Sequence, residues 1–199
     1  MFEKMSTKVM VRSSLLGAIS AVLMQLSIRL PIFPGFLSLD IGNLPAVVGA
    51  LTTGPLTGLL TLLIKNLVDP LIFGTNTGGI GNLANFVMGA ALVVPIGIIF
   101  RKHPNNLGYL IGSATGILCT IIAAIIMNYF VLLPLFTRLF MPMETIIGIA
   151  NAVNSNVNNV VTLIIFAIVP FNLLKATVVV VLGFIIYRAL KPVMARLRI

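Results

Sequence analysis

Long, uninterrupted apolar stretches dominate this chain, and most polar residues lie in the short segments between them. An α-helix needs roughly 20 residues to cross a bilayer, and the stretches are close to that length or longer. Apolar residues do not alternate with polar ones, which argues against a β-barrel. The pattern predicts five apolar blocks, over residues 9–28, 44–69, 83–100, 107–136 and 160–190.

The second block contains a turn signal near its middle, Thr52-Thr53-Gly54-Pro55. Proline lacks the amide N–H that a continuing helix needs, and Gly-Pro pairs mark turns. We therefore divide the block into a short helix over 43–53 and a second helix over 55–69, with a single kinked helix as the alternative. A half-length helix is tolerated only where protein or a cavity covers its ends, which indicates a polar cavity toward the outer side.

Charge gives an independent count of the spans. Both chain ends are basic, with the residues Lys4, Lys8, Arg12, Arg188, Lys191, Arg196 and Arg198. Lys and Arg concentrate on the cytoplasmic side of membranes, so two cytoplasmic ends require an even number of spans. The divided second block supplies the sixth span, and Asp40, Asp69 and Glu144 then fall in or beside segments assigned to the outside.

We predict an all-α integral membrane protein, a bundle of six transmembrane helices with both termini cytoplasmic, in one domain over 1–199. The basic start mimics a signal peptide, but its apolar stretch is long and no cleavage site stands out, so we interpret it as a retained first span. The predicted helices cover 9–28, 43–53, 55–69, 82–100, 106–133 and 170–190, with an external loop helix over 143–160.

Composition excludes several classes of function. The chain is 59% hydrophobic and 9% charged, with a mean hydropathy of +1.15, which is incompatible with a soluble surface. Its net charge of +9 is spread along the edges of apolar blocks and forms no basic patch, so we expect no nucleic-acid partner. The sequence shows no catalytic constellation, and the lone Cys119 and His103 offer no disulfide framework or metal cluster. We expect neither an enzyme nor a metal site.

Two lysines lie within or beside apolar blocks, where a charge raises the free energy by roughly 2.5–3.5 kcal/mol on insertion scales. Lys65 stands one turn before Asp69; it lines the mouth of a pocket, or it pairs with Asp69 or extends to the interface. Lys175 shares a helix face with Asn172, three residues earlier, behind Pro170. We interpret Lys175 as a ligand contact, with extension to the outer interface as the alternative.

Asparagines supply a second set of candidates. Asn151, Asn154 and Asn158 form one polar stripe if 143–160 is helical, and amides can both donate to and accept from an uncharged heterocycle or polyol. A solvated face of an outer helix is the alternative. Asn85 and Asn128 lie within or at the ends of apolar blocks, and Tyr129 adjoins Asn128.

The first predicted helix carries two pairs of small residues four apart, Ser14 with Ala18 and Gly17 with Ala21. Such pairs allow another helix to approach closely. They pack within the bundle or dock a partner subunit, and the sequence leaves both open.

Several short segments, in this order, resemble the substrate-capture subunits (S components) of energy-coupling factor (ECF) vitamin transporters, most closely the riboflavin-specific branch. They are Phe36-Leu-Ser-Leu-Asp40, Asn43-Leu-Pro45, Gly54-Pro55-Leu-Thr-Gly58, Lys65-Asn66-Leu67, Thr77-Gly-Gly-Ile-Gly81 with Leu83-Ala-Asn85-Phe86, Asn128-Tyr129-Phe130 with Leu133-Pro134-Leu135, and Pro170-Phe-Asn172-Leu-Leu-Lys175. The chain departs from the family at Asn43, where an acidic residue is common, at Asn82, where Glu is common, and at Ser14, where Ala is common.

The resemblance implies six helices with cytoplasmic ends, in the plasma membrane of a prokaryote, and capture of riboflavin from outside as a transported ligand, with no cofactor. It implies that Ser14 and Ala18 dock a transmembrane T subunit, which is carried by two ABC-type ATPases. No Gly-Lys-Ser/Thr ending of a nucleotide-binding loop occurs in this sequence, so partners would supply the energy. A capture subunit for another vitamin or flavin, or a self-sufficient secondary transporter, are the alternatives.

An uncharged planar ligand suits apolar walls with a few well-placed amides. We expect Asn172, Lys175 and Asn128 to hydrogen-bond the ligand, Phe171 or Tyr129 to provide apolar contact, and the loop 29–42 to act as a lid. The full set of expected ligand contacts is Asp40, Lys65, Asn85, Asn128, Tyr129, Asn151, Phe171, Asn172 and Lys175. The expected docking set is Ser14, Gly17, Ala18 and Ala21.

Overall fold

The computed structural model describes residues 6–75 and 77–196, with side-chain surroundings through Pro192; Lys4 and Arg198 of the basic ends lie outside this range. This part of the chain is all-helical apart from one isolated antiparallel bridge between Ile28 and Leu39. Its helices are α1 Thr7–Gln25, α2 Leu44–Thr52, α3 Pro55–Phe73, α4 Ile80–Lys102, α5 Asn106–Leu139, α6 Met143–Asn151 and α7, over 160–196.

Five helices in the described residues, α1, α3, α4, α5 and α7, are long and apolar enough to cross a membrane. The nine residues of α2 span about 14 Å, roughly half of a 30 Å hydrocarbon layer. Gly54, with a φ of 115°, breaks the chain between α2 and α3. The second apolar block is therefore two helices, the first too short to span alone.

The described chain ends lie at the same end of the bundle. Near its start, α1 contacts the beginning of α3, through Arg12 Nη1 to Thr53 Oγ1 at 2.9 Å and Ser13 Oγ to the Thr57 carbonyl at 3.4 Å. Near the end of α7, Tyr187 stacks on Tyr109 near the start of α5. We call this the basic end and the opposite one the cavity end. Because α1 and α3 both start at the basic end, α2 must return the chain to it.

Two prolines that the sequence presents as helix boundaries lie inside long helices. The sequence pattern predicts that a helix ends at 133 and that the last helix begins at 170, but α5 continues through Pro134 to Leu139 and α7 begins at Val160. Each proline lies two residues after the end of a π-helical turn, Asn128–Leu132 in α5 and Ile164–Ile168 in α7. The wider turn accommodates the clash and the missing N–H that proline introduces.

The predicted outer helix over 143–160 is also wrong, because α6 ends at Asn151 and turns fill 152–159. Asn159 caps α7: its Oδ1 accepts from the Thr162 amide, while Thr162 Oγ1 accepts from the Asn159 amide. This reciprocal pair fixes the start of α7 ten residues before the expected one. In α3 the helix continues through Pro70, so Asp69 is a buried residue of the bundle and not part of an external loop.

The core has two parts. At the basic end, apolar residues of α2, α4, α5 and α7 pack around the stacked pair Tyr109 and Tyr187. At the cavity end, a second cluster joins α4, α5, α6 and α7 around Ile146, Val157 and Leu163. Large apolar side chains such as Leu15, Ile122 and Val181 cover the outside of the bundle, as expected for a surface that faces lipid.

Gly116 allows α5 to lie close against α4, because a Cβ at this position would be 2.5 Å from the Leu92 carbonyl oxygen. We expect Gly116→Ala to force the helices apart and to lower the free energy of unfolding by about 1–3 kcal/mol. Thermal unfolding in detergent measures this change. Gly148→Ala is the matched control: nothing lies within 4 Å of its Cβ position in α6, so stability should be unchanged or slightly higher. Equal behaviour of the two variants would contradict this account of the interface.

Candidate functional site

A cavity of about 720 Å³ lies at the cavity end, enclosed by the loop after α1 and by helices α4, α5, α6 and α7. Its apolar walls come mainly from the helices, with Met88, Leu132 and Val179 as examples. Residues 35–38 of the loop form another wall. Among the predicted ligand contacts, the structure brings six to this cavity: Asp40, Asn85, Asn128, Phe171, Asn172 and Lys175.

An ion pair joins the loop to α7. The Lys175 ammonium lies 2.6 Å from Asp40 Oδ2, with the two side chains 13% and 2% exposed. The Gly42 amide donates to the other oxygen, Asp40 Oδ1, at 2.9 Å. Burial raises the pKa of the Asp40 carboxyl, but the Lys175 and Lys65 ammonium groups and these hydrogen bonds outweigh it, so that its pKa lies below the ordinary value of 3.8. Asp40 is therefore ionised at neutral pH, and its contact with Lys175 is a charged pair.

Lys65 lies behind the cavity wall and not at the mouth of the pocket. Its side chain is 0% exposed, and its ammonium donates to Asn43 Oδ1 at 2.6 Å and, at 3.5 Å, to Asn85 Oδ1. Lys175 also donates to Asn85 Oδ1, at 3.4 Å. Asn85 thus connects two ammonium groups through one amide oxygen, and only Lys175 of the two lysines lines the cavity.

Asp69 does not accept the hydrogen bond from Lys65 that its position one turn later suggested. Its carboxylate accepts from Gln25 Nε2 at 2.5 Å and from Asn82 Nδ2 at 2.8 Å. Two of the three residues at which the sequence departs from the family therefore have clear partners: Asn43 accepts from the Lys65 ammonium and Asn82 donates to the Asp69 carboxylate.

Asn128 and Asn172 project from the two helices that contain π-helical turns. Each Nδ2 donates within its own helix, Asn128 to the Ala124 carbonyl at 2.8 Å and Asn172 to the Ile168 carbonyl at 2.9 Å. With one N–H of each amide engaged in this way, its Oδ1 is available as an acceptor for a ligand in the cavity. Phe171, next to Asn172, is buried and packs edge-to-face against Phe33 of the loop, with ring centroids 5.3 Å apart.

Two predicted ligand contacts lie away from the cavity. Tyr129 is 46% exposed and packs on its neighbour Phe130, since one step along α5 from Asn128 turns the side chain outward. Asn151 is exposed, and its Nδ2 donates to the carbonyls of Ser155 and Val157 and to Asn158 Oδ1. Asn151 therefore organises the turns after α6, and the predicted polar stripe with Asn154 and Asn158 does not face the cavity.

The four small residues of α1 divide between two faces of the helix. Gly17 and Ala21 are buried, and a Cβ on Gly17 would lie 2.6 Å from Ile64 of α3, so these two belong to packing within the bundle. Ser14 and Ala18 are exposed. Ala18 lines a shallow apolar groove with Ile19, Val22 and Leu23.

Sequence reasoning missed several residues of the cavity wall. Met24 and Gln25 close the end of α1, and Phe36 and Ser38 belong to the loop. A residue of α5 that lies deeper, Thr120, donates to the Gly116 carbonyl at 2.8 Å. Loop residues carry no periodic signal, and an isolated Thr in an apolar helix resembles ordinary packing. In the described residues no group of three or more His, Cys, Asp or Glu side chains is arranged to hold a metal ion.

We expect Asp40→Asn to lower the free energy of unfolding by roughly 3–5 kcal/mol at neutral pH, because it leaves a buried ammonium without its anion. Since the folded pKa of Asp40 is below 3.8, the stabilisation is complete above that pH and is lost as pH falls through the folded pKa. Thermal unfolding of wild type and variant should therefore differ by a constant amount from about pH 8 to about pH 5 and converge only below about pH 4.

Glu144→Gln, at an exposed carboxylate in the first turn of α6, is the control and should show little difference at any pH. A gap for Asp40→Asn that closes between pH 7 and pH 5 would show that the pair is not the source of the stabilisation.

Comparisons with known proteins agree with this geometry. Residues 8–187 match the family described as ECF transporter, substrate-specific component. The chain is 31% identical to the riboflavin transporter FmnP of Bacillus subtilis, over 94% of each protein. It is 30% identical to the riboflavin transporter RibU of Staphylococcus aureus, over 96% of this chain and 94% of that protein.

A solved structure, described as the S component of a bacterial ECF transporter, superposes with a TM-score of 0.73 at 27% identity, covering 94% of this chain and 97% of that one. The family resemblance inferred from the short motifs is therefore confirmed. This chain belongs to the substrate-specific components of ECF transporters, a family of membrane transport proteins.

Proposed function

We propose that this protein captures riboflavin at the outer face of a prokaryotic plasma membrane and delivers it inward together with partner subunits. The observation that carries the proposal is the cavity, whose walls are largely apolar and whose polar lining includes Asn128, Asn172 and Lys175, each held by a hydrogen bond. Its volume of about 720 Å³ lies within the range of roughly 300–1,000 Å³ that is usual for small-molecule sites.

The arrangement of polar groups suits a flavin. The two amide oxygens of Asn128 and Asn172 accept from N–H or O–H groups, such as the imide of the ring or the hydroxyls of the ribityl chain. The Lys175 ammonium, oriented by Asp40, donates to a ring carbonyl or to a hydroxyl. Phe171 offers an aromatic ring at the cavity wall. The names of the two bacterial relatives, both riboflavin transporters, support this choice of ligand over other vitamins.

The same proposal assigns the sides of the membrane. We place both termini in the cytoplasm, because the exposed basic residues Lys8, Lys102, Arg188 and Lys191 lie at the basic end. The short α2, which returns the chain from the cavity end to the basic end, then makes the sixth crossing. The cavity opens to the outside beneath the loop 29–42, which acts as its lid.

Delivery requires energy that this sequence has no motif to supply. We propose a transmembrane T subunit and two ABC-type ATPases as partners, as in other ECF systems. The exposed pair Ser14 and Ala18, beside the shallow groove on α1, is the proposed contact with the T subunit. Gly17 and Ala21 contribute indirectly, because they allow α1 to pack closely against α3 and so hold this face in position.

Removing the polar contacts should weaken riboflavin binding. We expect Asn172→Ala and Lys175→Ala each to weaken binding by about 1–3 kcal/mol, the range for a lost buried hydrogen bond. Quenching of riboflavin fluorescence by the purified protein measures the affinity. Tyr129→Ala and Asn151→Ala, at residues that lie away from the cavity, are the controls and should bind as wild type does.

A panel of other vitamins in the same assay tests the choice of ligand. Preference for a different vitamin would refute riboflavin capture, and unchanged affinity in both Asn172→Ala and Lys175→Ala would remove these side chains from the site.

A larger side chain on the exposed face of α1 should disrupt assembly without affecting capture. We expect Ala18→Leu to abolish co-purification with the T subunit and ATPases, because it fills the space into which a partner helix would pack. Riboflavin affinity should not change, since Ala18 is remote from the cavity. Ala189→Leu, at an exposed position of α7, is the matched control. Retained assembly in Ala18→Leu would rule out this face as the docking surface.

A further inference from the structure

Residues 28–39 of the loop after α1 form a small structure with its own hydrogen bonds. The amides of Ile28 and Leu39 each donate to the carbonyl of the other, both at 2.8 Å, and close the base. Two tight turns lie between them, from the Phe33 amide to the Leu30 carbonyl at 3.0 Å and from the Leu37 amide to the Pro34 carbonyl at 2.9 Å. We call residues 28–39 the flap. Because its ends are tied together, it can move as one body.

The flap is held against α7 at two points. At its base, Asp40 forms the buried ion pair with Lys175. Farther along, Phe33 packs edge-to-face on Phe171, with the ring planes at 79°. Phe171 and Lys175 are four residues apart and share one face of α7.

These two contacts differ in strength. The ion pair is short, buried and reinforced by the Gly42 amide, so its rupture leaves a buried charge without a partner. The aromatic contact is neutral, and Phe33 is only half-buried. An edge-to-face pair of this kind contributes far less than a buried ion pair. The flap should therefore separate from α7 at Phe33 while Asp40 remains bound and acts as the pivot.

We propose that Phe33 is a positioning residue that controls ligand exchange, by holding the flap against Phe171 over the cavity. Phe33 does not line the cavity, whereas Phe171 and flap residues 35–38 do. Phe33 therefore acts on the ligand only through Phe171 and through the position of the flap. A ligand that packs on Phe171 would fix this ring and strengthen closure. This inference rests on the proposed riboflavin capture.

The test compares rates with affinity. In Phe33→Ala, we expect both the association and the dissociation rate of riboflavin to rise, dissociation by about 3- to 10-fold, because flap opening no longer breaks the aromatic contact. The dissociation constant should change by less than the rates do. Phe33→Leu, which keeps an apolar contact, should restore part of the wild-type behaviour. Stopped-flow fluorescence of riboflavin measures the rates.

Ile32→Ala is the matched control, because Ile32 is the neighbouring flap residue, is exposed and does not line the cavity. Its rates should equal those of wild type. Rates of Phe33→Ala that match those of Ile32→Ala would overturn the proposal. So would a rise in dissociation alone with unchanged association, which would mean that Phe33 affects the bound state and not the opening.

A second measurement needs no ligand, so it separates this inference from the proposed function. Ala176 is buried at the cavity wall. In a background with Cys119→Ala, the cysteine introduced by Ala176→Cys should react with a polar maleimide several-fold faster when Phe33→Ala is added, and no faster when Ile32→Ala is added. Equal labelling rates would overturn the proposal. Faster labelling in a protein that does not bind riboflavin would support the proposed role of Phe33 in closing the flap. It would refute only the proposed capture of riboflavin.

Discussion

Two ammonium groups, those of Lys65 and Lys175, lie inside the bundle, and the structure of the cavity end depends on how they are stabilised. A charge at the centre of a membrane raises the free energy by several kcal/mol unless polar groups surround it. Lys175 obtains a carboxylate from Asp40 of the loop, and Lys65 obtains amide oxygens from Asn43 and Asn85. These partners come from the loop after α1, from the residue before α2 and from α4. The need of both ammonium groups for polar partners therefore determines where these segments meet.

The same interactions occupy several polar groups that a ligand would otherwise contact. Both Asp40 oxygens and the Asn85 carbonyl are engaged, and Lys65 is enclosed behind the wall. The proposed ligand contacts at the cavity wall are the Lys175 ammonium and the amide groups of Asn128 and Asn172, each held in place by a contact on its other side. Groups held in this way lose little freedom when a ligand arrives, which favours tight capture of a small, uncharged molecule.

The sequence was sufficient to predict the apolar blocks, the break at Gly54 and the shared helix face of Asn172 and Lys175, because these follow from local spacing. It was insufficient where the structure depends on distant contacts. Asp40 and Lys175 are 135 positions apart, and nothing local indicates that they pair. Tyr129 is predicted to contact the ligand as the chain neighbour of Asn128, and Asn151 as part of a helical stripe with Asn154 and Asn158. However, one step along α5 from Asn128 points Tyr129 outward, and turns replace the helix after Asn151 that would have carried the stripe.

The misplaced helix boundaries and two of the proposed ligand contacts lie in the same two helices. Pro134 and Pro170 normally interrupt a helix, but here each follows a π-helical turn in a helix that borders the cavity. A π-helical turn leaves backbone carbonyls poorly matched with amide donors, and in a membrane such groups need other partners. Asn128 and Asn172 each donate to the carbonyl four residues earlier, and the acceptor of Asn172, Ile168, is the last residue of a π-helical turn. Both amides line the cavity, so the two helices that contain the irregular turns are also the ones that present amide acceptors to a ligand.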